Sequence, residues 1–256
     1  MTKEKPVKND KLNLRMDLQH TFEFNCYPGI SCFTQCCRDI TIVLTPYDVL
    51  RLKNALGISS DQFLDRYTII IPKNKLIPLI ALKMNETDKK CPFVSSDGCM
   101  VYKDRPWPCR MYPLDINKDG TYSLITDTSR CSGLKETKIW KISDWLVDQE
   151  IEPYDEMNKH LFSITIQLQA RNLDIDNPKI SKMVFMALYN LDKFKDFVFK
   201  STFMDRLEVE PARVNKIKND ESELLKFAFD WLNFGLFGKK VFEVKQPPSE
   251  TDHADR

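Results

Sequence analysis

Eight cysteines lie between positions 26 and 131 of this chain, and positions 132–256 contain none. They are Cys26, Cys32, Cys36, Cys37, Cys91, Cys99, Cys109 and Cys131. A chain of 256 residues can bury a substantial apolar core, so it does not need cross-links merely to fold. The clustering therefore predicts a dedicated sulfur site and divides the chain into two parts.

The chemistry expected of these thiols depends on the compartment. Residues 1–18 are highly charged and lack the apolar segment of a secretory signal peptide, and no apolar run approaches the roughly 20 residues of a membrane span. We therefore expect a cytoplasmic protein without a membrane partner. Because the cytoplasm keeps thiols reduced, clustered cysteines there are typical of metal binding or catalysis rather than of disulfides. The balance of 38 basic and 37 acidic residues predicts no nucleic-acid partner, and no motif identifies a protein partner.

The spacing of the cysteines restricts the kind of site. No C-x-x-C occurs, which excludes zinc-ribbon knuckles, the thioredoxin-type motif and the ferredoxin run. Cys36 and Cys37 are adjacent, and neighbouring side chains point in different directions in most backbone conformations. We expect them to serve two metals, or one of them to stay free. The long gap between Cys37 and Cys91 must close if both groups are to form one site.

The site is expected to consist of sulfur ligands. The chain has three histidines and none lies within the cluster, so we interpret His20, the nearest one, as a surface or packing residue. Four thiolates around Zn²⁺ or a [4Fe-4S] core leave a net charge of about −2, which a nearby cation would stabilise. Arg105 and Arg110 flank Cys109 and suit this cofactor-binding role. The alternative, to which we give equal weight, is that both arginines are ordinary solvent-exposed surface residues.

Hydrophobic periodicity and turn signals predict an α+β fold. A small irregular cysteine-rich metal-binding domain, with short helices and a small sheet, precedes a mainly helical C-terminal region. We expect an N-terminal arm at 1–19, the cysteine domain at 20–138, the helical region at 139–244 and a disordered tail at 245–256.

Local signals place several elements. Thr45-Pro46 begins a helix that ends at Gly57, and Ser59 with Gln62 begins a second. A later helix is expected to run from Asp220 or Ser222 to Phe234, before Gly235. The expected strands are Thr68–Ile71, Leu76–Leu82 and Tyr122–Thr126. The periodic phenylalanines of the C-terminal half are expected to pack a core: Phe194, Phe197, Phe199, Phe203, Phe227, Phe229 and Phe234.

One stretch resembles a known family. Its letters are CMVYKDRPWPCRMYP, from Cys99 to Pro113, preceded by Cys91-Pro92-Phe93. It resembles the YkgJ-type cysteine-cluster family, a zinc- or iron-chelating domain, and the resemblance extends over about residues 22–134. It implies that all eight cysteines are candidate ligands. The five residues between Cys26 and Cys32 replace the family's C-x-x-C opening and resemble instead the cysteine domain of flagellin lysine N-methylases, in which an iron-sulfur cluster is implicated.

Three functions follow as hypotheses. The first is a metal-binding protein that holds zinc or an iron-sulfur cluster in a structural or metal-handling role, because closed all-cysteine sites are usually structural. The second is an iron-sulfur enzyme, such as the protein-lysine methyltransferase that the methylase resemblance implies. No nucleotide-binding glycine motif, zinc-protease motif or recognisable S-adenosylmethionine motif supports an enzyme. The third is a thiol redox sensor that uses Cys36 and Cys37.

Overall fold

The computed structural model describes residues 14–71, 77–171, 173 and 177–245. The chain forms two compact units. Unit 1 consists of Met1–Leu44 and Ala81–Glu156, and unit 2 consists of Thr45–Ile80 and Met157–Arg256. Every cysteine belongs to unit 1. The predicted domain boundaries stay a prediction, and the predicted arm and tail lie largely outside the described residues.

Helices dominate the second half of the chain, and short strands are interspersed in the first. The helices described are α1 (Pro46–Leu56), α2 (Ser60–Tyr67), α3 (Trp107–Met111), α4 (Ile142–Asp148), α5 (Glu152–Ala170), α6 (Pro178–Tyr189), α7 (Leu191–Lys200), α8 (Pro211–Asn219) and α9 (Glu221–Phe237). The strands described are β1 (Thr21–Glu23), β2 (Val43–Leu44), β3 (Thr68–Ile71), β4 (Leu79–Leu82), β5 (Val94–Ser95), β6 (Gly98–Cys99), β7 (Leu114–Ile116), β8 (Tyr122–Leu124), β9 (Ile139–Lys141), β10 (Leu207–Glu208) and β11 (Glu243–Val244). This composition confirms the α+β class with a mainly helical C-terminal region. None of these helices is long and apolar enough to span a membrane.

The strands form small separate sheets. In unit 1, β1 pairs with β9, β5 with β6, and β7 with β8, each time antiparallel. β2 lies beside the end of β4, where the Leu82 amide donates to the Ile42 carbonyl over 2.9 Å. In unit 2, β3 is hydrogen-bonded to β4, and β10 pairs with β11.

The local signals of α1 and α2 are confirmed. The Thr45 side chain accepts from the Asp48 amide in a capping box, and Gly57 ends α1 in the left-handed conformation at φ 63°. Ser59 and Gln62 form the second capping box. These reciprocal bonds satisfy amides that the first helical turn would otherwise leave without partners.

The predicted end of α9 is wrong. Gly235 lies inside the helix, which continues to Phe237 and ends at Gly238 with φ 66°. A Cβ at Gly235 would meet nothing within 4 Å, so the position makes no demand for glycine. A glycine inside a helix costs about 1 kcal/mol, which the burial of Trp231, Leu232 and Phe237 offsets.

Unit 2 is built around an aromatic core. Phe194, Phe227 and Phe229 are essentially inaccessible to solvent, which confirms their predicted role. The Phe194 ring lies 5.5 Å from the Trp231 ring, centroid to centroid. Near this core the ammonium of Lys53 is buried and lies 2.7 Å from a Glu221 carboxylate oxygen.

Unit 1 is organised around Trp145. Its ring makes edge-on contacts with Phe22 and Phe24 of the β1 region, at centroid distances of 5.8 and 5.4 Å, and with Trp140 at 5.2 Å. Cys131 is buried in the same cluster. This small core therefore supports the segments that carry the thiols.

Candidate metal centre

The two sequence-distant groups of cysteines meet at a backbone pairing. Cys36 and Cys37 lie on a single 3-10 turn, Gln35–Cys37. The Cys91 amide donates to the Cys37 carbonyl over 2.8 Å, and the Asp39 amide donates to the Lys89 carbonyl over 2.9 Å. These bonds close the long gap in the sequence and place Cys91 beside the first cysteine group.

A tight hairpin carries Cys99 to the same region. In the β5–β6 pair, Cys99 lies opposite Val94. Gly98 has φ 118°, which side chains other than glycine rarely adopt. A Cβ there would also lie 3.3 Å from the Phe33 ring, one residue after Cys32. The glycine therefore allows the hairpin to pack closely on the loop of the first cysteine group.

Cys131 begins a second turn, which we call the Cys131 turn (residues 131–134). Its Gly133 carbonyl accepts from the Asn25 amide over 3.0 Å. A Cβ at Gly133 would lie 2.8 Å from the Asn25 carbonyl oxygen and 2.9 Å from the Phe24 ring. Because real Cβ atoms do not approach backbone so closely, glycine is what lets this turn lie against the chain that leads into Cys26.

Mutual electrostatic interactions connect most of the thiols. Cys26 is an exposed residue, but partial desolvation of its sulfur raises its pKa to about 11, and the neighbouring Cys36, Cys131 and Cys32 add to the effect. Burial also raises the pKa of Cys91 to about 11, with Cys99 contributing. Further interactions complete the group: Cys99 with Cys36, Cys32 with Cys131, and Cys36 with Cys37, whose sulfurs lie 4.0 Å apart.

Protonated thiols are the consequence of this crowding. Cys36 is an exposed residue, but its hydrogen bond with Cys37, followed by partial desolvation of its sulfur, raises its pKa far above its usual range. Thiolates brought together repel one another and lose hydration, so a cation is needed to hold several of them ionised.

Cys32 differs from its neighbours. Burial acts to raise its pKa, but hydrogen bonds from the Ser132 and Gly133 amides, the Ser132 hydroxyl and the Cys131 thiol outweigh burial and lower it. The Ser132 amide nitrogen lies 3.1 Å from the Cys32 sulfur. Cys32 is thus prepared to carry negative charge.

Arg105 is a buried cation beside two of the thiols. Burial lowers the pKa of its guanidinium, whereas the charges of Cys109 and Cys99 raise it. The guanidinium donates to the Tyr102 carbonyl and the Gln149 side-chain oxygen, and it lies 3.9 Å from the centre of the Tyr102 ring. It is therefore held in place by groups other than the sulfurs.

Arg110, on α3 next to Cys109, is almost completely buried. It donates to the carbonyls of Arg105 at 3.0 Å, Gln149 at 2.7 Å and Lys103. Its guanidinium also lies 4.5 Å from the centre of the Tyr154 ring. The alternative of two solvent-exposed arginines is wrong, because both residues are buried and donate to Gln149 and to carbonyls of the loop that leads to Cys109. A cofactor-binding role for either arginine stays a prediction.

The donor set fits a thiophilic metal in chemical type. Within the described part of the chain, however, no three or more histidine, cysteine, aspartate or glutamate side chains lie close enough together to hold a metal ion. His20 pairs with Asp17 at 2.8 Å. The structure therefore gathers the thiols in one region and leaves their ligand assignments as predictions.

Several residues around the thiols escaped the sequence analysis as functional positions: Tyr112, Ser132, Gly133 and Gln149. Two of them follow Cys131 directly, and Tyr112 lies three residues after Cys109. Gly133, two residues after the predicted ligand Cys131, was the available signal, since such glycines permit close backbone approach. Gln149 belongs to α4's C-terminal end and gave no local signal.

Comparison with known families supports metal binding by this region. Residues 25–138 match the model of the CxxCxxCC family, described as "Putative zinc- or iron-chelating domain". This segment is similar to the CxxCxxCC family. The match contains all eight cysteines and supports metal binding by the CxxCxxCC domain, which confirms the cysteine-cluster resemblance. Searches of curated proteins and of solved structures found no match to the chain, so the similarity to flagellin methylases gains no support.

Proposed function

We propose that the CxxCxxCC domain holds zinc or an iron-sulfur cluster through its cysteine thiolates, in a structural or metal-handling role in the cytoplasm. The observation that carries this proposal is the gathering of thiols from three distant segments. The Cys91 amide donates to the Cys37 carbonyl, and the amide of Ser132, the residue after Cys131, donates to the Cys32 sulfur. A thiophilic cation supplies the positive charge that lets such crowded thiols ionise.

The proposed ligands are the eight cysteines, with Arg105 as a compensating cation. Arg105 interacts with Cys99 and Cys109 and is fixed by other partners, so its charge is available to the sulfurs. Arg110 is proposed to support the same loop through its carbonyl bonds. This division of roles supports a centre whose net negative charge is balanced from within the domain.

A thiol redox sensor is the second candidate. Its supporting observation is the short distance between the Cys36 and Cys37 sulfurs. The raised pKa of Cys36 weighs against it, because the thiolate is the form that reacts with oxidants.

These proposals are tested by anaerobic purification of the protein. Zinc, iron and sulfide per chain are then determined, and a visible spectrum is recorded. Near-stoichiometric zinc without a visible band would support a zinc centre, whereas iron and sulfide in a brown protein that dithionite bleaches would support a cluster. Metal-free protein in every preparation would overturn the proposal and favour the sensor.

Cysteine-to-serine substitutions distinguish metal ligands from residues that only lie near the metal. Cys99→Ser and Cys109→Ser should each lower the metal content per chain. Ser96→Ala, at the tip of the β5–β6 hairpin, is the matched control and should retain the wild-type metal content. Full metal content in both cysteine variants would contradict their assignment as ligands.

A further inference from the structure

We infer that unit 1 binds an extended segment of a partner protein in a groove beside β1, where the segment adds a strand to the open edge of β1. The segment presents an arginine or lysine between apolar side chains. This site is separate from the proposed metal centre, because no groove residue is a candidate ligand. All the residues that form it belong to unit 1.

The strand β1 is paired with β9 along one of its edges. The Phe24 amide donates to the Lys138 carbonyl over 2.9 Å, and the Ile142 amide donates to the His20 carbonyl over 3.0 Å. In an antiparallel pair, residues that exchange hydrogen bonds with the partner strand alternate with residues that do not. The even-numbered residues of this segment therefore bond to β9, and the odd-numbered residues direct their N–H and C=O groups away from it.

The outer edge of β1, which faces away from β9, has two open positions. Within the part of the chain that the structure describes, the backbone groups of Thr21 and Glu23 on this edge have no hydrogen-bond partner. Asn25, the next odd-numbered residue, is paired there, because its amide donates to the Gly133 carbonyl over 3.0 Å. Unpaired backbone groups along a strand edge are a template for a further strand.

A groove of about 520 Å³ adjoins this outer edge. This volume lies within the range of ligand-binding clefts, about 300–1,000 Å³. Leu134, the residue after Gly133, is part of its wall, which places the groove at the edge where Gly133 pairs with Asn25. The apolar residues that line it are Leu14, Met16, Phe22, Leu124, Leu134 and Ile139. Two of them, Leu14 and Ile139, are 51% and 66% exposed and form apolar surface that a bound segment covers.

The charged side chains at the groove are acidic. Glu23 is exposed and lies on the same face of the β1–β9 pair as Ile139, its cross-strand partner. The Asp127 carboxylate accepts from the Ser129 amide over 2.8 Å, which fixes its position. None of the described residues that line the groove is basic. Two carboxylates beside apolar surface are complementary to a cation flanked by apolar groups, and a guanidinium pairs well with carboxylates.

Strand addition uses the open edge and the groove together. Main-chain hydrogen bonds to Thr21 and Glu23 supply affinity, and the side chains that enter the groove supply specificity. Because successive side chains of a strand point to opposite faces, the apolar and basic side chains occupy every second position of the bound segment. Leu134 belongs to the Cys131 turn, so the segment lies beside the candidate metal centre.

The test measures binding of the fluorescein-labelled peptide TLTRTLT to the full-length protein by fluorescence polarisation. Its leucines and arginine occupy alternate positions, and its threonines favour an extended conformation. The control peptide TLTETLT replaces the cation with a carboxylate. Amide hydrogen exchange at Thr21 and Glu23 is measured by NMR with and without TLTRTLT.

We expect TLTRTLT to bind saturably and TLTETLT to bind about fivefold more weakly. Bound TLTRTLT should slow exchange of the Thr21 and Glu23 amides, because pairing protects them. No saturable binding at up to about 1 mM peptide, or binding that protects neither amide, would overturn the inference. Neither result depends on the metal content, so the proposed function is tested separately.

Two pairs of variants locate the site. Glu23→Gln should weaken TLTRTLT binding about two- to fivefold, whereas Glu86→Gln, at an exposed glutamate elsewhere in unit 1, should bind like the wild type. Ile139→Thr should weaken binding about fourfold through lost apolar contact, whereas Ile125→Thr, at an exposed isoleucine outside the groove, should not. Wild-type affinity in both Glu23→Gln and Ile139→Thr would overturn the inference.

Other occupants of the groove give different results. Binding of TLTRTLT that appears only after deletion of residues 1–13 would assign the groove to the N-terminal segment of the chain itself. Binding that appears only on dilution, as a dimer dissociates, would assign it to a second copy of the chain. Either result would overturn the inference.

Discussion

The two units achieve order in different ways. Unit 2 consists largely of capped helices of 8 residues or more around an aromatic core, with buried Phe194 and Phe227 and an internal ion pair at Lys53. Unit 1 consists mainly of strands of two to four residues, short helices and turns, and its core cluster includes a cysteine. Burial of apolar surface stabilises the first arrangement, whereas the second gathers thiols that would repel one another if ionised without a cation. We therefore expect loss of metal to destabilise unit 1 and to leave the stability of unit 2 unchanged.

Removal of metal should produce the largest effect. Stripping the full-length protein with a chelator should accelerate amide hydrogen exchange around the cysteines of unit 1 and leave α6 to α9 protected. Structural zinc supplies apparent binding free energy on the order of 10 kcal/mol, which the stripped unit loses. Mass spectrometry of peptides from both units measures the contrast. Equal acceleration in both would break the comparison.

Phe194→Ala should have the opposite effect and destabilise unit 2 without changing the metal content of unit 1. It empties a fully buried site in unit 2 and should lower the free energy of unfolding by about 3 to 5 kcal/mol. Metal per chain should stay at the wild-type value. Urea unfolding and metal analysis test this, with the exposed Phe162→Ala expected to change stability by less than about 0.5 kcal/mol. Metal loss in folded Phe194→Ala would contradict the separation.

Two glycine-to-alanine substitutions, each of which adds one methyl group, test the difference in packing between the two units. Gly133→Ala should destabilise unit 1 by about 1 to 3 kcal/mol through overpacking against Asn25 and should speed metal release. Gly235→Ala, in open space within α9, should stabilise unit 2 by up to about 1 kcal/mol. Chemical unfolding of both variants, read with release kinetics, checks the pair. A stabilising Gly133→Ala would show that the turn has room to move.

The smallest expected effect depends on pH. Burial acts to raise the pKa of Asp192, but hydrogen bonds from Ser60 and the charge of Lys53 outweigh it and lower the pKa. A lowered folded-state pKa contributes stability above the unfolded-state pKa, and this stability is lost as pH falls through the folded-state value. Asp192→Asn should therefore cost up to about 1 kcal/mol at pH near 7 and little in strong acid, since the partly exposed carboxylate is screened by solvent.

Urea midpoints at about pH 7 and about pH 2.5, on either side of the ordinary aspartate range, measure this difference. The exposed Asp196→Asn is the control, because its Lys200 partner is equally exposed. If Asp192→Asn lowers the free energy of unfolding as much in acid as at neutral pH, the contacts of Asp192 depend on hydrogen-bond geometry rather than on its charge.

The sequence by itself determined the features that depend on neighbours along the chain. The capping boxes at Thr45 and Ser59 and the end of α1 at Gly57 were predictable because each bond closes within a few residues. The cysteine motif likewise predicted a cysteine-cluster domain over about residues 22–134, and the family model matches residues 25–138. The strand signal at Tyr122 was predictable as well, although β8 ends at Leu124.

Only the tertiary structure decided which distant groups meet. It joined Cys37 to Cys91, placed the Ser132 amide on Cys32, and assigned Thr45–Ile80 to the unit of the C-terminal helices. It also buried Arg110 against carbonyls that no spacing rule could identify. These contacts depend on how apolar faces pack and on where a missing Cβ permits close approach, and both are properties of the folded chain rather than of any local sequence pattern.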